Sequence, residues 1–334
     1  MKDIARDLGV SAVTVSKVLL NHGDIGAETR ERVLKRIKEL NYQPNQNARA
    51  LATGKSHLVG LIVPDLLHQF FAQVTKGVSR TLRTRGYGLI IASSEENPDF
   101  EKQEIDQMLA RRVDALIIAS TQRSPESFSR ITKQRVPYVL VDRKLDGLSA
   151  NFIGTDDVRA GTLATEHLIS RGCRRLAYIG GDYPSTAAER MEGFLAAAKN
   201  HQLEIAPKYI CRRTKLDDAA DATGHRAMLA LLRLNPRPDG VFCFSDPIAN
   251  GAMQAVLEQG LRIPDDVAII GCGNVLYASV LRVPLSSVNQ ESENMGEHAA
   301  QMVLDLVAPN AKHEPREIRL RPTLVARTST LGVI

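Results

Sequence analysis

Three charged side chains stand just beyond short apolar runs: Arg143 after Tyr138–Val141, Arg190 in the loop after Leu176–Ile179, and Asp246 after Gly240–Phe244. Other polar residues occupy equivalent places: Asp65 to Phe71, Ser93-Ser94, Ser120-Thr121, Asp142, Thr155-Asp156-Asp157, Gly180 to Arg190, and Gly271 to Asn274. With the aromatics Phe70, Phe71 and Tyr183 they suit a polar cleft for a small hydrophilic molecule. Each also has a plainer reading, because strand-end Asp and Ser residues commonly cap the next helix. That reading weighs most on Ser245, Thr155 and Asp157. It weighs least on Arg143, Arg190 and Asp246, whose charges are costly to leave unpaired in a cleft. Bond-breaking chemistry is not visible. No GxGxxG opens a helix after the first strand, and no Walker loop, GxSxG or HExxH occurs. The eight histidines share no spacing, and Cys173, Cys211, Cys243 and Cys272 are scattered without CxxC. The expectation is therefore binding without catalysis, cofactor or metal, with the thiols reduced.

Such loops need a scaffold. From His57 onward, apolar runs alternate with helical periods: Leu58–Val63, Gly88–Ala92, Ala115–Ile118 and Tyr138–Val141 are strands, separated by helices over Ala72–Arg85, Phe100–Arg111 and Pro125–Lys133. The alternation repeats after Phe152–Gly154, with strands Leu176–Ile179, Tyr209–Cys211, Gly240–Phe244 and Val267–Ile270. Continuous apolar strands bounded by helices indicate parallel sheets covered on both faces. Two such blocks predict two doubly wound α/β lobes, with ligands bound beyond the carboxyl ends of the strands. The tail, a helix over Ser292–Val307 and then Ile318–Thr328, is expected to cross back between them.

The first 43 residues read differently. Lys2–Leu8 is a helix, Gly9-Val10 a turn, and Ser11 caps a second helix, Ala12–Leu19. Ile4, Leu8, Val10, Val15 and Val18 supply buried faces, with Ala5 where the helices cross. A third helix, Glu28–Leu40, closes the core with Val33, Ile37 and Leu40 and turns Arg30, Arg32, Lys35, Arg36 and Lys38 to solvent. This is a helix-turn-helix pattern or, more blandly, a helical cap on the next domain. Charge separates the two. Met1 to Lys55 holds ten Lys and Arg against six Asp and Glu, so nearly all of the net +5 sits there. That is an electrostatic footprint for polyphosphate. A membrane surface is the rival, but no polybasic run or apolar helix face supports it. Pro44 to Leu51 is helical by composition, with Pro44 at its first turn, yet too short to hold alone in water. It is expected to fold on a partner. The chain has no basic start followed by an apolar h-region and no run near eighteen apolar residues, so it is read as cytosolic.

These residues bring a family into view. Asp3-Ile4-Ala5, Gly9-Val10-Ser11, Thr14-Val15-Ser16-Lys17-Val18, Thr29 to Val33, Leu40 to Asn45, Ala48-Arg49-Ala50-Leu51, Val63-Pro64-Asp65, Gly154 to Asp157, Leu168 to Gly172 and Gly260 to Val267 all fit it. Over nearly its whole length the chain resembles the lactose/galactose repressor (LacI/GalR) family of bacterial transcription regulators. The resemblance implies a helix-turn-helix headpiece over 1–43, a hinge helix and linker over 44–56, and a periplasmic-binding-protein-like core over 57–334. It divides the core into a first lobe (57–155 and 286–317) and a second (156–285 and 318–334). It further implies a homodimer on a near-palindromic double-stranded operator, controlled by a small polar, sugar-like effector. Ala12, Val13 and Lys17 then read base edges, Lys17 on guanine and the apolar pair on thymine methyls. Thr14, Ser16 and Asn21 bond phosphates, and Ser11, Asn45 and Ala48 belong to the same DNA-facing set. Leu51 becomes a minor-groove wedge. For the effector it implies His68, Phe70, Phe71, Arg143, Asp156, Arg190, Asp246, Asn274 and Gln290, with Arg and Asp forking onto vicinal hydroxyls or a carboxylate.

Some positions depart from the family. The first helix lacks the preceding Thr that caps it, worth about 1 kcal/mol, which leaves that helix frayed or puts the start upstream of Met1. His68-Gln69-Phe70-Phe71 stands where Asn-Pro-Phe-Phe is usual, Gly273 replaces a common acidic residue, and there is no Trp to stack on a sugar ring. Two other classes compete: a periplasmic-type binding protein without DNA regulation, and a metabolic enzyme with a DNA-binding appendage.

Overall fold

The computed structural model describes residues 1–19, 23–42, 50, 54–181, 184–212, 220–309 and 314–332. The chain forms two compact units, Met1–His57 and Leu58–Ile334.

In the first unit, α1 (Lys2–Leu8), α2 (Ala12–Leu19) and α3 (Ala27–Glu39) enclose Ile4, Ala5, Val15, Val18 and Val33. Met1 gives α1 no side-chain cap, while Gly9 ends it in the left-handed region at φ 65°. Two expectations need correcting. Leu40 is the residue that ends α3 and is 44% exposed, so Ile37 and Tyr42 pack there instead. Nor do all the basic residues of α3 face solvent unengaged: Arg32 donates to Leu8 O at 3.1 Å and Arg36 Nε to Asp7 at 3.2 Å. These two arginines tie α3 to α1.

The second unit holds two six-stranded sheets. The first lobe uses β1 (Leu58–Val63), β2 (Gly88–Ser93), β3 (Ala115–Ile118), β4 (Tyr138–Val141) and β5 (Asn151–Thr155). Its helices include α4 (Gln69–Thr84), α5 (Pro98–Ala110) and α6 (Ser129–Lys133). The second lobe follows with α7 (Asp157–Ser170), β6 (Leu176–Ile179), α8 (Pro184–Asn200), β7 (Ile210–Cys211), α9 (Ala220–Leu232), β8 (Gly240–Cys243), α10 (Asp246–Glu258), β9 (Ala268–Cys272) and β10 (Ser286–Asn289). The tail supplies α11 (Ser292–Val307), β11 (Glu317–Leu320), β12 (Thr323–Val325) and α12 (Thr328–Leu331).

Strand order is β11-β5-β4-β3-β1-β2 in one sheet and β12-β10-β9-β8-β6-β7 in the other. Every pairing is parallel except β10 with β12. This corrects the expected allotment of 286–317 to the first lobe. β10 belongs to the second sheet and all of β11 to the first. The chain therefore crosses between lobes after β5, after β10 and between β11 and β12. The reason is chemical. Ser286 and Ser287 are polar, yet both are fully buried in the second sheet because their hydroxyls are satisfied, Ser286 by Arg327 O at 3.0 Å and Ser287 by Asp246 at 2.6 Å.

Three helix pairs pack at backbone distance through reciprocal glycines. A Cβ on Gly77 would lie 2.0 Å from Glu293 O, and one on Gly296 the same from Val74 O, so α4 and α11 meet without side chains between them. Gly161 and Gly193 do this for α7 and α8, and Gly224 and Gly251 for α9 and α10. The α7–α8 contact lies on Arg190 itself, whose carbonyl would sit 2.1 Å from a Cβ at Gly161. Arg190 is thereby set in depth as well as in direction.

Candidate functional site

The DNA-facing expectation falls on α2. Ser11 Oγ accepts the amide of Thr14 at 3.0 Å and lies 2.9 Å from its hydroxyl, which caps the helix. Val15 and Val18 are buried, whereas Ser11, Ala12 and Val13 are exposed, Val13 at 65%. Thr14, Ser16 and Lys17 are half-buried at the edge of that face. A valine this exposed serves no core, and its position beside Ala12 presents a small apolar tip. Lys17 forms an ion pair with Asp24 of the following turn. Asn21, Asn45, Ala48 and Leu51 lie outside the described residues, as does Tyr183.

In the core, the charged residues gather at the strand ends of both lobes. On the first lobe, Arg143 forks onto Glu96, NH1 and NH2 each donating at 2.8 Å to a different carboxylate oxygen. Glu96 is held by its amide on Pro64 O at 3.1 Å. Phe71 lies 5.9 Å from the guanidinium, edge-on to Phe70 at 5.0 Å and 5.8 Å from the His68 ring. Burial lowers the His68 pKa, so the ring is neutral at pH 7. On the second lobe, Arg190 Nε donates to Asp157 at 2.6 Å and NH1 to Phe244 O at 2.8 Å, with the guanidinium 4.4 Å over the Phe244 ring. Burial pushes the Asp157 carboxyl up to about 7 against the pull of Arg190. The two walls sense one another: Arg190 bears electrostatically on both His68 and Asp142.

Three contacts join the lobes near this cleft. Gln69 Oε1 accepts the amide of Leu276 at 2.8 Å, and the Lys144 amide donates to Ser185 Oγ at 3.2 Å. Arg319 forks onto Glu189 at 2.8 and 3.2 Å. The departure at Gln69, where a proline is usual, thus makes an interlobe bond that proline cannot.

His68, Phe70, Phe71 and Arg143 lie together, and Arg190 bears on His68 electrostatically. Asp156 does not join them. It is exposed, and its carboxylate caps α7 on the Arg159 amide at 2.9 Å, while its neighbour Asp157 turns inward. Asp246 and Asn274 belong to an internal brace. Asp246 is fully buried, its oxygens accepting Ser287 Oγ at 2.6 Å and the Val275 amide at 2.9 Å, and burial pushes it up to about 6. Gly271 is obligatory beside it, since a Cβ there would lie 2.2 Å from Asp246 Oδ1. Asn274 Oδ1 is held by Arg327 at 2.7 Å. Gln290 is buried where the chain crosses between lobes, its carbonyl accepting Thr155 Oγ1 at 3.3 Å. Asp142 and Asp157, placed among the strand-end polar residues, were left out of the effector set, and Glu96 was missed altogether. For Asp142 and Asp157 the signal was present, since each is a carboxylate just after a predicted strand.

Comparison with known proteins now bears on this geometry. Residues 1–45 match the model for "Bacterial regulatory proteins, lacI family", and residues 165–330 that for a "Periplasmic binding protein-like domain". The HTH-type transcriptional repressor PurR of Proteus mirabilis is 32% identical, covering 98% of this chain and 96% of its own length. The chain belongs to the lacI family of bacterial regulatory proteins. PurR of Actinobacillus pleuropneumoniae is 30% identical over 98% of this chain and 97% of the relative. Among solved structures, the lac repressor dimer bound to operator and the anti-inducer ONPF superposes with a TM-score of 0.86 at 26% identity, covering 99% of this chain and 98% of that one. The regulator CelR in complex with cellobiose gives 0.74 at 29% identity, covering 98% of each. As a lacI-family member the chain is a DNA-binding transcription regulator with a small-molecule-binding core. Among its described residues no helix is long and apolar enough to cross a membrane.

Proposed function

We propose that two copies of this chain bind a near-palindromic operator in the cytoplasm, without catalysis, and that a small polar effector in the cleft sets the operator affinity. The observation that carries it is α2, which buries Val15 and Val18 and offers Ala12, Val13 and Lys17. Ala12 and Val13 suit thymine methyls, Lys17 suits guanine O6 and N7, and Ser11, Thr14, Ser16 and Asn21 suit phosphates. From the family resemblance, Leu51 acts as the minor-groove wedge and Asn45 and Ala48 line its hinge.

A dimer is supported by exposed apolar side chains on the second lobe, Leu276 and Val280 at 72% and 79%. Beside them runs a groove of about 440 Å³ lined by Met253, Leu257, Leu281 and Val283. Effector occupancy of the cleft shifts the DNA-competent population through its different affinity for the two states.

Selection of duplexes from random DNA by the full chain, followed by footprinting, tests the reading. The expected outcome is one short palindrome bound with a steep salt dependence. Lys17→Ala relaxes the preference at one base pair per half-site, and Leu51→Ala weakens specific binding far more than non-specific binding. A full chain that prefers no sequence at any ionic strength overturns it.

A further inference from the structure

We propose that the cleft takes a hydroxylated effector carrying one positive charge, a protonated amine above all, with Asp142 as its counter-ion. This deepens the effector-controlled reading above and rests on it. Asp142 follows β4 with its backbone fixed, the amide donating to Ile153 O at 2.9 Å and φ at 63°. The residue is only 9% exposed. Yet neither carboxylate oxygen receives a hydrogen bond from any described residue, and Arg143 Nε stands off at 3.7 Å. A carboxylate so withdrawn from water and so poorly matched is costly unless something else supplies the partner.

The neighbouring cations are already engaged. Arg143 is forked onto Glu96, and Arg190 is divided between Asp157 and Phe244 O. Among the described residues, two guanidiniums thus face Glu96, Asp142 and Asp157, the last pushed up to about 7 by burial and so shared with a proton near neutral pH. The next charges out cancel: Lys144 pairs with Glu317, Arg319 with Glu189 and Glu317, and Arg327 lies near Asp246. His68 is neutral at pH 7, and Asp65 at the rim adds a further negative charge. A phosphate or carboxylate on the ligand would have to displace Glu96 or Asp157 from its arginine and then sit beside Asp142. An ammonium group on Asp142 displaces neither pair.

The hydroxyl requirement comes from a different atom. Gln290, 3% exposed at the lobe crossing, has an amide nitrogen with no acceptor among the described residues. A ligand hydroxyl satisfies it, whereas an ammonium group cannot.

The test separates a small-molecule extract of the source bacterium by charge at pH 7 into cation-exchange-retained, unretained and anion-exchange-retained fractions. Each is added to the full-length chain and the melting temperature is read. The cationic fraction is expected to raise it by about 2 °C, the rise for a ligand near tenfold above its dissociation constant. A rise given by the neutral or anionic fraction overturns the proposal. No rise in any fraction overturns it too, and small-molecule sensing with it, whereas failure to select a duplex overturns only the DNA reading. In Asp142→Asn the apparent affinity of the active fraction is expected to fall by about tenfold or more, and an unchanged response removes Asp142 from the site. Should the Asn variant melt early without ligand, Asp142→Glu keeps the charge, and loss of the cationic preference there counts equally against the assignment.

Discussion

The two walls of the cleft hold the same chemistry with different stiffness. On the second lobe, Arg190, Asp157 and Asp246 are almost wholly buried and bonded into their own lobe, and the α7–α8 contact presses on the backbone of Arg190. On the first, the side chains of Arg143 and Glu96 are 9% and 22% exposed, and Asp142 has only a loose 3.7 Å ion pair with Arg143 Nε. The contrast separates charges that hold the fold from those left for a ligand. A buried pair that loses one member strands a charge, whereas a rim pair rehydrates.

Breaking the stiff wall has the largest expected effect. Asp157→Ala leaves Arg190 without its carboxylate and costs about 3–5 kcal/mol in urea unfolding; a loss below about 1 kcal/mol would erase the distinction between the walls. Next comes Asp246, raised to about 6 in the fold. Its folded pKa exceeds the unfolded value, so it stabilises most at acid pH, and that contribution is lost as pH rises from about 4 to about 6. The stability of the native chain relative to Asp246→Asn should therefore fall by about 3 kcal/mol across this window, and a flat difference contradicts the burial argument. Arg143→Gln, on the looser wall, is expected to cost only about 1–2 kcal/mol while strongly weakening the effector response. If it destabilises as much as Asp157→Ala, the walls are alike. Smallest is Gln69→Ala, which removes one interlobe hydrogen bond worth about 1 kcal/mol. Scattering from the unliganded chain should show a slightly more open core, and an unchanged profile means the bond does not hold closure.

The strands that carry these walls were legible because parallel strands buried on both faces must be apolar throughout, as in Leu58–Val63 and Ala115–Ile118. β10 was not, because its serines are buried by partners more than forty residues away, at Arg327 and Asp246. The site divided on the same principle. Arg143 and Arg190 were recognisable, since few places accommodate an arginine after a strand. Asp156 and Asp157 are adjacent and identical in type; Asp156 caps α7 on the Arg159 amide, and Asp157, one residue on, turns inward to Arg190 on α8. Glu96 was hidden because its role exists only as the acceptor of Arg143, 47 residues on. In α2 the three-residue spacing of the buried Val15 and Val18 was readable, and the exposure of Val13 follows from it.

The tail completes both sheets: β11 forms an edge of one and β12 an edge of the other, and α12 brings Thr330 to within 2.6 Å of His167. Neither lobe is continuous along the chain. During synthesis, then, each lobe must wait with an open border until the last few dozen residues leave the ribosome. A nonsense codon near 316 would leave two unfinished lobes, and a quality-control protease would meet β5 and β10 as bare edges where the whole protein covers them with β11 and β12.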